Sequence, residues 1–256
     1  MDDDLYAWPA LYDLVSPVDP QMERFYLDVA GGAGRHTLEL ACGTGRLTLP
    51  LAQSGATVTG GDLSPVMLAE AKSQAEAAAL DITFAQLDMR AFELGRRFDR
   101  ILVAANTLLH LTTTAELRGF LHAVARHLEP DGLLAFDMFV PSAHLLSLPP
   151  GQRQPLGTFD HETLGRITVE ETIAYDPISQ VSHADWYWSR PEQPDFRHTQ
   201  VQMRQIYPQE LPLLLEHGGF RLVERFGGFD RSPLSADSLR QVVLCTPKNE
   251  VIEKSI

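Results

Sequence analysis

The sequence predicts a doubly wound α/β fold in which seven strands form one sheet, interrupted by a small antiparallel insertion. Three observations predict it. Short apolar runs alternate with longer helical runs between residues 36 and 139. Helical runs begin and end at recognisable signals, such as Ser64-Pro65 before one and Pro130-Asp131-Gly132 after another. After residue 140 the pattern changes to period-two alternation. Strands that alternate with helices form right-handed crossovers and a parallel sheet covered on both faces.

The predicted elements follow one another in regular order. Five strands come first, at 36–41, 57–62, 82–87, 100–105 and 133–139. Helices lie between them at 45–54, 64–80 and 114–128. A connector and three alternating stretches follow, at 141–155, then 166–175, 180–189 and 197–207. A last helix and two strands complete the sheet, at 208–217, 221–226 and 241–245.

This pattern predicts one α/β domain made of residues 1–140 and 207–256. Residues 141–206 are expected to form an antiparallel lid inserted after the fifth strand. A chain of 256 residues is long enough to bury one substantial core.

Composition narrows the class of function. The formal net charge is −13, from 34 acidic and 21 basic residues, and this charge repels phosphate backbones, so nucleic-acid partners are disfavoured. No apolar run approaches the roughly 20 residues that span a bilayer, so no membrane partner is expected. Cys42 and Cys245 are isolated, so we expect neither a metal centre nor a disulfide framework. The acidic start, Met1–Asp4, differs from a secretory signal and favours a cytoplasmic location.

A ligand site is expected where the first strand meets the first helix. Gly43 and Gly45 permit a sharp turn and let a ligand approach the backbone. Asp62 lies 17 residues after Gly45, at the end of the second strand, where a carboxylate can bind both hydroxyls of a ribose. Thr48 replaces the third glycine of a dinucleotide fingerprint, and Glu39 would repel a pyrophosphate. These two residues therefore favour a cationic nucleoside over a nicotinamide dinucleotide as the ligand. The alternative interpretation of Glu39 is a solvated acid at the end of a strand.

The segment from Glu39 to Gly45 resembles the glycine-rich first motif of class I S-adenosylmethionine-dependent methyltransferases. Ala41 stands where that motif often has its first glycine. Later segments resemble the other motifs in order, at 61–68, 87–90, 98–101 with 105–107, and 128–134. The resemblance implies a Rossmann-like seven-stranded methyltransferase sheet, with S-adenosylmethionine as cofactor and S-adenosylhomocysteine as product.

The resemblance also implies roles for individual residues. Asp62 would hold the ribose, Leu63 would pack on the adenine, and Asp88 would receive the adenine amino group. The Met89 backbone would contact a ring nitrogen, and residues 106–107 would lie beside the methionine part of the ligand. The whole cofactor-binding set implied in this way is Tyr12, Glu39, Ala41, Cys42, Gly43, Gly45, Asp62, Leu63, Met67, Asp88, Met89, Asn106 and Thr107.

A further similarity is to the small-molecule subgroup that includes amino-sugar N,N-dimethyltransferases. It implies that an N-terminal helical segment, residues 1–35, covers the cofactor and places Tyr12 against the sulfonium. The alternative for Tyr12 is an aromatic ring buried by an amphipathic helix. His110 follows the fourth strand and is the candidate general base, because its ordinary pKa suits proton removal near neutrality. A capping or packing role is the alternative for His110.

The predicted activity is methyl transfer to a nitrogen or oxygen of a small-molecule acceptor by in-line displacement. A transferase acting on protein or RNA and a non-catalytic S-adenosylmethionine-binding module are the alternatives. Trp186 and Trp188 share one face of a lid strand and form either a wall over the acceptor or a face buried on the main domain or a second subunit. Asp137 either lines the pocket or serves a loop. The free edge of the lid favours a homodimer.

Overall fold

The structure, a computed structural model, describes residues 4–248. Residues 1–3 and 249–256 lie outside the described part, and with them most of the acidic start and the end of the predicted main domain. The described strands are β1 (His36–Leu40), β2 (Thr57–Asp62), β3 (Thr83–Gln86), β4 (Phe98–Val103), β5 (Leu128–Phe139), β6 (Gln154–His161), β7 (Gly165–Asp176), β8 (Val181–Arg190), β9 (Gln193–Arg204), β10 (Phe220–Phe226) and β11 (Arg240–Pro247).

Short helices connect these strands. They are α1 (Pro9–Val15), α2 (Pro20–Ala30), α3 (Thr48–Gln53), α4 (Pro65–Ala77), α5 (Thr114–His127), α6 (Ala143–Leu146) and α7 (Leu211–His217). Two single-turn 3-10 helices occur as well, at Leu5–Ala7 and Thr107–His110. Between residues 4 and 248, none of the helices combines the length and the apolar character needed to cross a bilayer.

The main sheet has seven strands in the order β10-β11-β5-β4-β1-β2-β3. Its first five strands are parallel neighbours, whereas β11 runs antiparallel to both β5 and β10. Apolar side chains fill both faces, with α5 and α7 packed on one side and α2 and α3 on the other. The predicted doubly wound fold, interrupted after its fifth strand, is therefore confirmed.

Helix starts follow the capping signals in the sequence. Ser64 accepts a hydrogen bond from the Met67 backbone at 3.4 Å, and Pro65 occupies the first helical position of α4, as predicted. Thr113 and Glu116 form a reciprocal capping box at the start of α5. In contrast, α3 begins at Thr48 and not at Gly45, because the preceding glycines adopt positive φ angles and form a loop.

The insertion is a separate four-stranded antiparallel sheet in the order β6-β7-β8-β9, called the lid sheet below. The sequence analysis expected three strands and missed β6, which begins inside the expected connector. Pro155 and Gly157 disguise this strand, and its register shifts between them. Such residues are tolerated there because β6 is an edge strand.

Candidate active site

A cleft of about 540 Å³ opens where β1, β2, β3 and β4 end, and we call it the strand-end cleft. The carboxyl ends of parallel strands meet at one edge of a sheet, which is where ligands bind in open α/β folds. The lining residues are Asp4, Tyr6, Ala7, Tyr12, Ala41, Gly43, Asp62, Leu63, Ser64, Pro65, Val66, Leu87, Asp88, Met89, Arg90, Thr107, His110 and Leu111. Nine of the fourteen site residues predicted from sequence are among them.

The loop after β1 is fastened to the end of β2 through Asp62. The backbone N–H of Gly43 donates to Oδ2 of Asp62, and the backbone N–H of Ser64 donates to Oδ1, each at 2.8 Å. Burial raises the pKa of this carboxyl, while the two backbone donors act in the opposite direction. Each carboxylate oxygen retains a lone pair for a further donor. Asp62 is thus anchored by the backbone of Gly43 and Ser64 and can still accept a pair of ligand hydroxyls.

The wall of the cleft beside Asp62 is apolar. Leu63 and Val66 are 61% and 48% exposed, which is unusual for such side chains, and both face the cleft. Asp88 stands at the far end of this wall, after β3. Its carboxylate binds the guanidinium of Arg90 at 2.6 Å, and that contact lowers the pKa of Asp88. An exposed apolar wall ending in a carboxylate suits a planar ring with an amino group.

The first described residues cover the cleft. We call residues 4–16 the N-terminal arm; its Asp4, Tyr6, Ala7 and Tyr12 line the cleft. The Tyr6 carbonyl accepts a hydrogen bond from the Ser64 hydroxyl at 3.1 Å. Asp13 accepts one from Thr44 at 2.8 Å in the glycine loop. Asp4 also forms a parallel bridge with Gln200 on β9. The arm therefore joins the main sheet to the lid sheet.

Tyr12 lies over the glycine loop. A Cβ atom at Gly43 would lie 3.8 Å from the Tyr12 ring, and the Arg46 guanidinium lies 4.7 Å from the ring centroid. Arg46 is in turn paired with Asp13 at 3.1 Å. The ring thus already contacts one cation of the chain while it lines the cleft.

His110 forms a hydrogen-bonded pair with Tyr6. Its Nδ1 lies 3.1 Å from the Gln202 carbonyl, which can only accept, so Nδ1 carries the proton. The Tyr6 hydroxyl lies 2.7 Å from Nε2 and therefore donates to it. Burial lowers the pKa of His110 and raises the pKa of Tyr6, so both are neutral at physiological pH. A neutral histidine with an accepting Nε2 can take up a proton through the phenol.

Five predicted site residues do not line the cleft. The carboxyl of Glu39 is buried and accepts a hydrogen bond from the Thr48 hydroxyl, and burial raises its pKa to about 8. Glu39 is therefore mostly protonated near neutrality, whereas the sequence analysis expected a charged acid beside the ligand. Burial rules out the solvated strand end, while the role of Glu39 toward the cofactor stays a prediction.

The other four support the cleft from behind. Cys42 and Met67 are buried. A Cβ atom at Gly45 would lie 3.3 Å from the Cβ of Ala71, so this glycine allows α4 to pack closely. Asn106 has a φ of +62° and forms the turn after β4.

Two further side chains acquire definite positions. Asp137 is buried and accepts hydrogen bonds from the Tyr26 hydroxyl at 2.7 Å and from the Ala105 backbone at 2.9 Å. It is not among the lining residues and fixes the turn that carries Thr107. Trp188 is fully buried among Leu5, Leu11 and other apolar residues of the N-terminal arm and lid sheet.

Sequence reasoning missed Asp4, Tyr6, Val66 and Arg90 in the cleft wall. Tyr6 and His110 are 104 residues apart, and no local pattern links them. Val66 and Arg90 lie in the segments 61–68 and 87–90 that resemble family motifs. Their closeness in sequence to Leu63 and Asp88 was the signal that could have placed them in the cleft.

The lining of the cleft matches the chemistry of S-adenosylmethionine. Asp4, Asp62 and Asp88 are acidic, and Arg90 is the one arginine or lysine among the described lining residues. An acidic wall attracts an ammonium and a sulfonium and disfavours a pyrophosphate. The residues present therefore fit a cationic nucleoside with a ribose and an adenine ring.

Comparison with known proteins points to the same chemistry. A family described as a methyltransferase domain matches residues 37–132. An uncharacterised methyltransferase of Synechocystis sp. (strain ATCC 27184 / PCC 6803 / Kazusa) is 36% identical over 168 residues, which are 62% of this chain and 76% of that protein. The dTDP-3-amino-3,6-dideoxy-alpha-D-glucopyranose N,N-dimethyltransferase of Streptomyces fradiae is 37% identical over 111 residues, 43% of this chain and 38% of that protein.

The fold extends this similarity over nearly the whole chain. The CcbJ methyltransferase of Streptomyces caelestis is 26% identical, with a TM-score of 0.81 over 97% of this chain and 98% of that one. Matches to several curated relatives nevertheless span only 36–46% of their length. The matched family, the Synechocystis relative and the seven-stranded sheet together identify the chain as a member of the class I S-adenosylmethionine-dependent methyltransferases.

Proposed function

We propose that this chain transfers a methyl group from S-adenosylmethionine to a nitrogen or oxygen of a small-molecule acceptor by in-line displacement. The observation that carries the proposal is the strand-end cleft, where nine predicted site residues meet beside the Tyr6–His110 pair. The relatives named for amino-sugar N,N-dimethylation support a small acceptor.

When bound, S-adenosylmethionine supplies an electrophilic methyl carbon, and its carbon–sulfur bond breaks as the acceptor lone pair forms the new bond, leaving S-adenosylhomocysteine. In this proposal Asp62 holds the ribose and Leu63 supports the adenine. The N-terminal arm excludes water, and Tyr12 lies over the glycine loop beside the reacting centre. These residues act by holding the two reactants in line and close together.

The acceptor must also lose one proton. We assign this step to Tyr6 and His110: the Tyr6 oxygen takes the acceptor's proton as its own passes to Nε2 of His110. The Gln202 carbonyl then stabilises the imidazolium that forms, because it already accepts from Nδ1. His110 returns the proton to solvent after the product leaves.

The alternatives receive less support. A transferase acting on a macromolecule needs an open approach to the methyl group, whereas the N-terminal arm and lid sheet meet over the cleft through Asp4 and Gln200. The net charge of −13 further disfavours RNA. A non-catalytic binding module would have no use for an oriented Tyr6–His110 pair in its wall.

Calorimetric titration with S-adenosylmethionine tests the proposal, with NADH as the control ligand. We expect binding to wild type, about 100-fold weaker binding to Asp62→Ala through loss of charged hydrogen bonds, and no effect of Asp81→Ala, an exposed aspartate outside the cleft. Release of S-adenosylhomocysteine with small amines and alcohols then tests transfer. Failure of ligand-free wild type to bind S-adenosylmethionine would overturn the proposal.

A further inference from the structure

A second cavity lies between the lid sheet and the main sheet, and we call it the lid cavity. Its volume is about 410 Å³, within the range of small-molecule sites. Its lining residues are Phe139, Val140, Ser142, Leu145, Leu146, Glu171, Ile173, Ser182, Ala184, Trp186, Val201, Met203, Gln205 and Leu239. Leu145 and Leu239 are 41% and 83% exposed, so the cavity also presents apolar side chains to solvent.

The lid cavity adjoins the strand-end cleft. Val201 and Met203 line the cavity, and the residue between them, Gln202, accepts the hydrogen bond from His110 in the cleft. Phe139 ends β5, which pairs in parallel with β4 at the centre of the main sheet. Residues 201–203 of β9 therefore border both the lid cavity and His110 of the strand-end cleft.

Glu171 is the one charged residue in the lining. Its Oε2 accepts a hydrogen bond from the Trp186 indole at 3.2 Å, and within residues 4–248 its Oε1 accepts none. The Ser182 and Gln205 side chains bond to each other at 2.8 Å. Burial raises the pKa of Glu171, which reflects the cost of a carboxylate in apolar surroundings. A cation beside Oε1 would offset that cost.

No arginine, lysine or histidine occurs among the described lining residues of the lid cavity. Arg153, which directly precedes β6, does not reach the cavity, because it pairs with Glu170 and Asp195 on the outer face of the lid sheet. A nucleoside diphosphate carries at least two negative charges and would be repelled by the unpaired carboxylate of Glu171. The cavity thus lacks the groups that would hold such an acceptor.

We propose, on the basis of the function proposed above, that the lid cavity takes the methyl acceptor and that this acceptor is a compact apolar amine facing Glu171. It is not a nucleotide-diphosphate sugar of the kind named for the Streptomyces fradiae relative. Nitrogen is then the methylated atom. The ammonium gives one proton to the Tyr6 oxygen as the Tyr6 proton passes to His110, and the nitrogen lone pair attacks the methyl carbon while the sulfur takes the electrons of the broken bond.

Calorimetry with three probes tests this proposal without turnover. Cyclohexylmethylamine is the cationic apolar probe, cyclohexylmethanol its neutral twin, and dTDP the anionic comparison. Wild type should bind the amine most tightly and dTDP not at all. Glu171→Gln keeps an acceptor for Trp186 and should weaken amine binding about 10- to 100-fold, with alcohol binding unchanged. Glu170→Gln, the neighbour on the opposite face, should change neither.

A second variant locates the binding site. Ala184→Leu fills the lid cavity and should block amine and alcohol together, while S-adenosylmethionine still binds. Three outcomes would each overturn the inference. They are an amine affinity unchanged in both variants, no amine binding to wild type, and competition between dTDP and the amine. If S-adenosylmethionine binds normally in those cases, the proposed function stands; if it does not bind at all, the proposed function itself fails.

Discussion

The strand-end cleft and the lid cavity are built from different kinds of chain. The cleft is made of loops that follow parallel strands, and its fixed points are backbone groups such as the N–H of Gly43 and Ser64. The lid cavity is made of side chains from antiparallel strands, where alternate residues share a face. A site built from backbone groups leaves short local motifs in the sequence. A site built from side chains depends on which strands pack together, and no local motif records that. In our proposals, the first kind of site binds the cofactor and the second binds the methyl acceptor.

The largest loss of stability should come from removing Trp188, which joins the N-terminal arm over the strand-end cleft to the lid sheet. Trp188→Ala empties a fully buried site between the N-terminal arm and the lid sheet, at a cost of about 3–5 kcal/mol of unfolding free energy. The arm should loosen, so proteolysis before residue 17 should accelerate and S-adenosylmethionine should bind more weakly. Denaturant unfolding and limited proteolysis measure these changes.

Tyr187→Ala is the matched control for that variant. Tyr187 lies on the opposite face of β8, where the Arg153 guanidinium stacks 3.8 Å from its ring centroid. Its removal should cost about 1 kcal/mol and leave the arm in place. Equal effects of the two substitutions would mean that the arm and the lid sheet are not coupled through Trp188.

The second prediction concerns the glycine loop that supports the cleft from behind. Gly45 has a φ of +86°, and an added Cβ would meet Ala71 at 3.3 Å. Gly45→Ala should therefore cost about 3 kcal/mol, from backbone strain and crowding together. Gly34→Ala is the control, because Gly34 has a φ of +82° and open space around it, so only the strain of about 1–2 kcal/mol should appear. Thermal unfolding compares them, and equal losses would rule out the packing contribution.

The two regions also differ in how far the sequence predicted them. Most strand positions in the main sheet were predicted within a few residues, because each strand is a short apolar run between clear turn signals. The strand-end cleft followed from Gly43, Asp62 and Asp88, which stand at strand ends in local motifs. The burial of Glu39 could not be predicted, because its hydrogen-bond partner Thr48 is recognised only in three dimensions.

The lid region was predicted in outline only. Its antiparallel pattern was recognised, but β6 was missed behind Pro155 and Gly157. Tyr6 could not be connected with His110, since their contact spans 104 residues. Glu171 was not singled out, because a carboxylate in an alternating strand reads as a solvated residue until the cavity around it is known.

The third prediction tests the chemistry at the boundary of the two regions. Tyr6→Phe removes the hydroxyl that donates to Nε2 of His110, so kcat should fall about 100-fold while the affinity for S-adenosylmethionine changes little. Because burial lowers the pKa of His110, the acid limb of the wild-type pH profile should lie below the ordinary histidine range. His110→Gln should remove that limb. Steady-state kinetics against pH measures both; a KM effect alone would make Tyr6 a binding residue.

The last prediction concerns the buried acids that each region contains, and its effect appears only as the pH rises. Burial raises the pKa of Glu39 to about 8, while an unfolded glutamate titrates near ~4.3. Between these values the folded protein holds a proton that the unfolded chain has released, so this group's contribution to stability declines as pH rises through the window. Glu39→Gln keeps an acceptor for Thr48 and never ionises. It should match wild type near pH 4 and exceed it by several kcal/mol near pH 8, because each unit of the pKa difference is worth ~1.4 kcal/mol. Denaturant unfolding at the two pH values measures this difference. Burial also raises the pKa of Glu171, but this residue is only half-buried, so Glu171→Gln should flatten the curve less. We interpret Glu39 as a closed structural acid and Glu171 as an acid that stays accessible to a ligand. A larger effect at Glu171 than at Glu39 would contradict this interpretation.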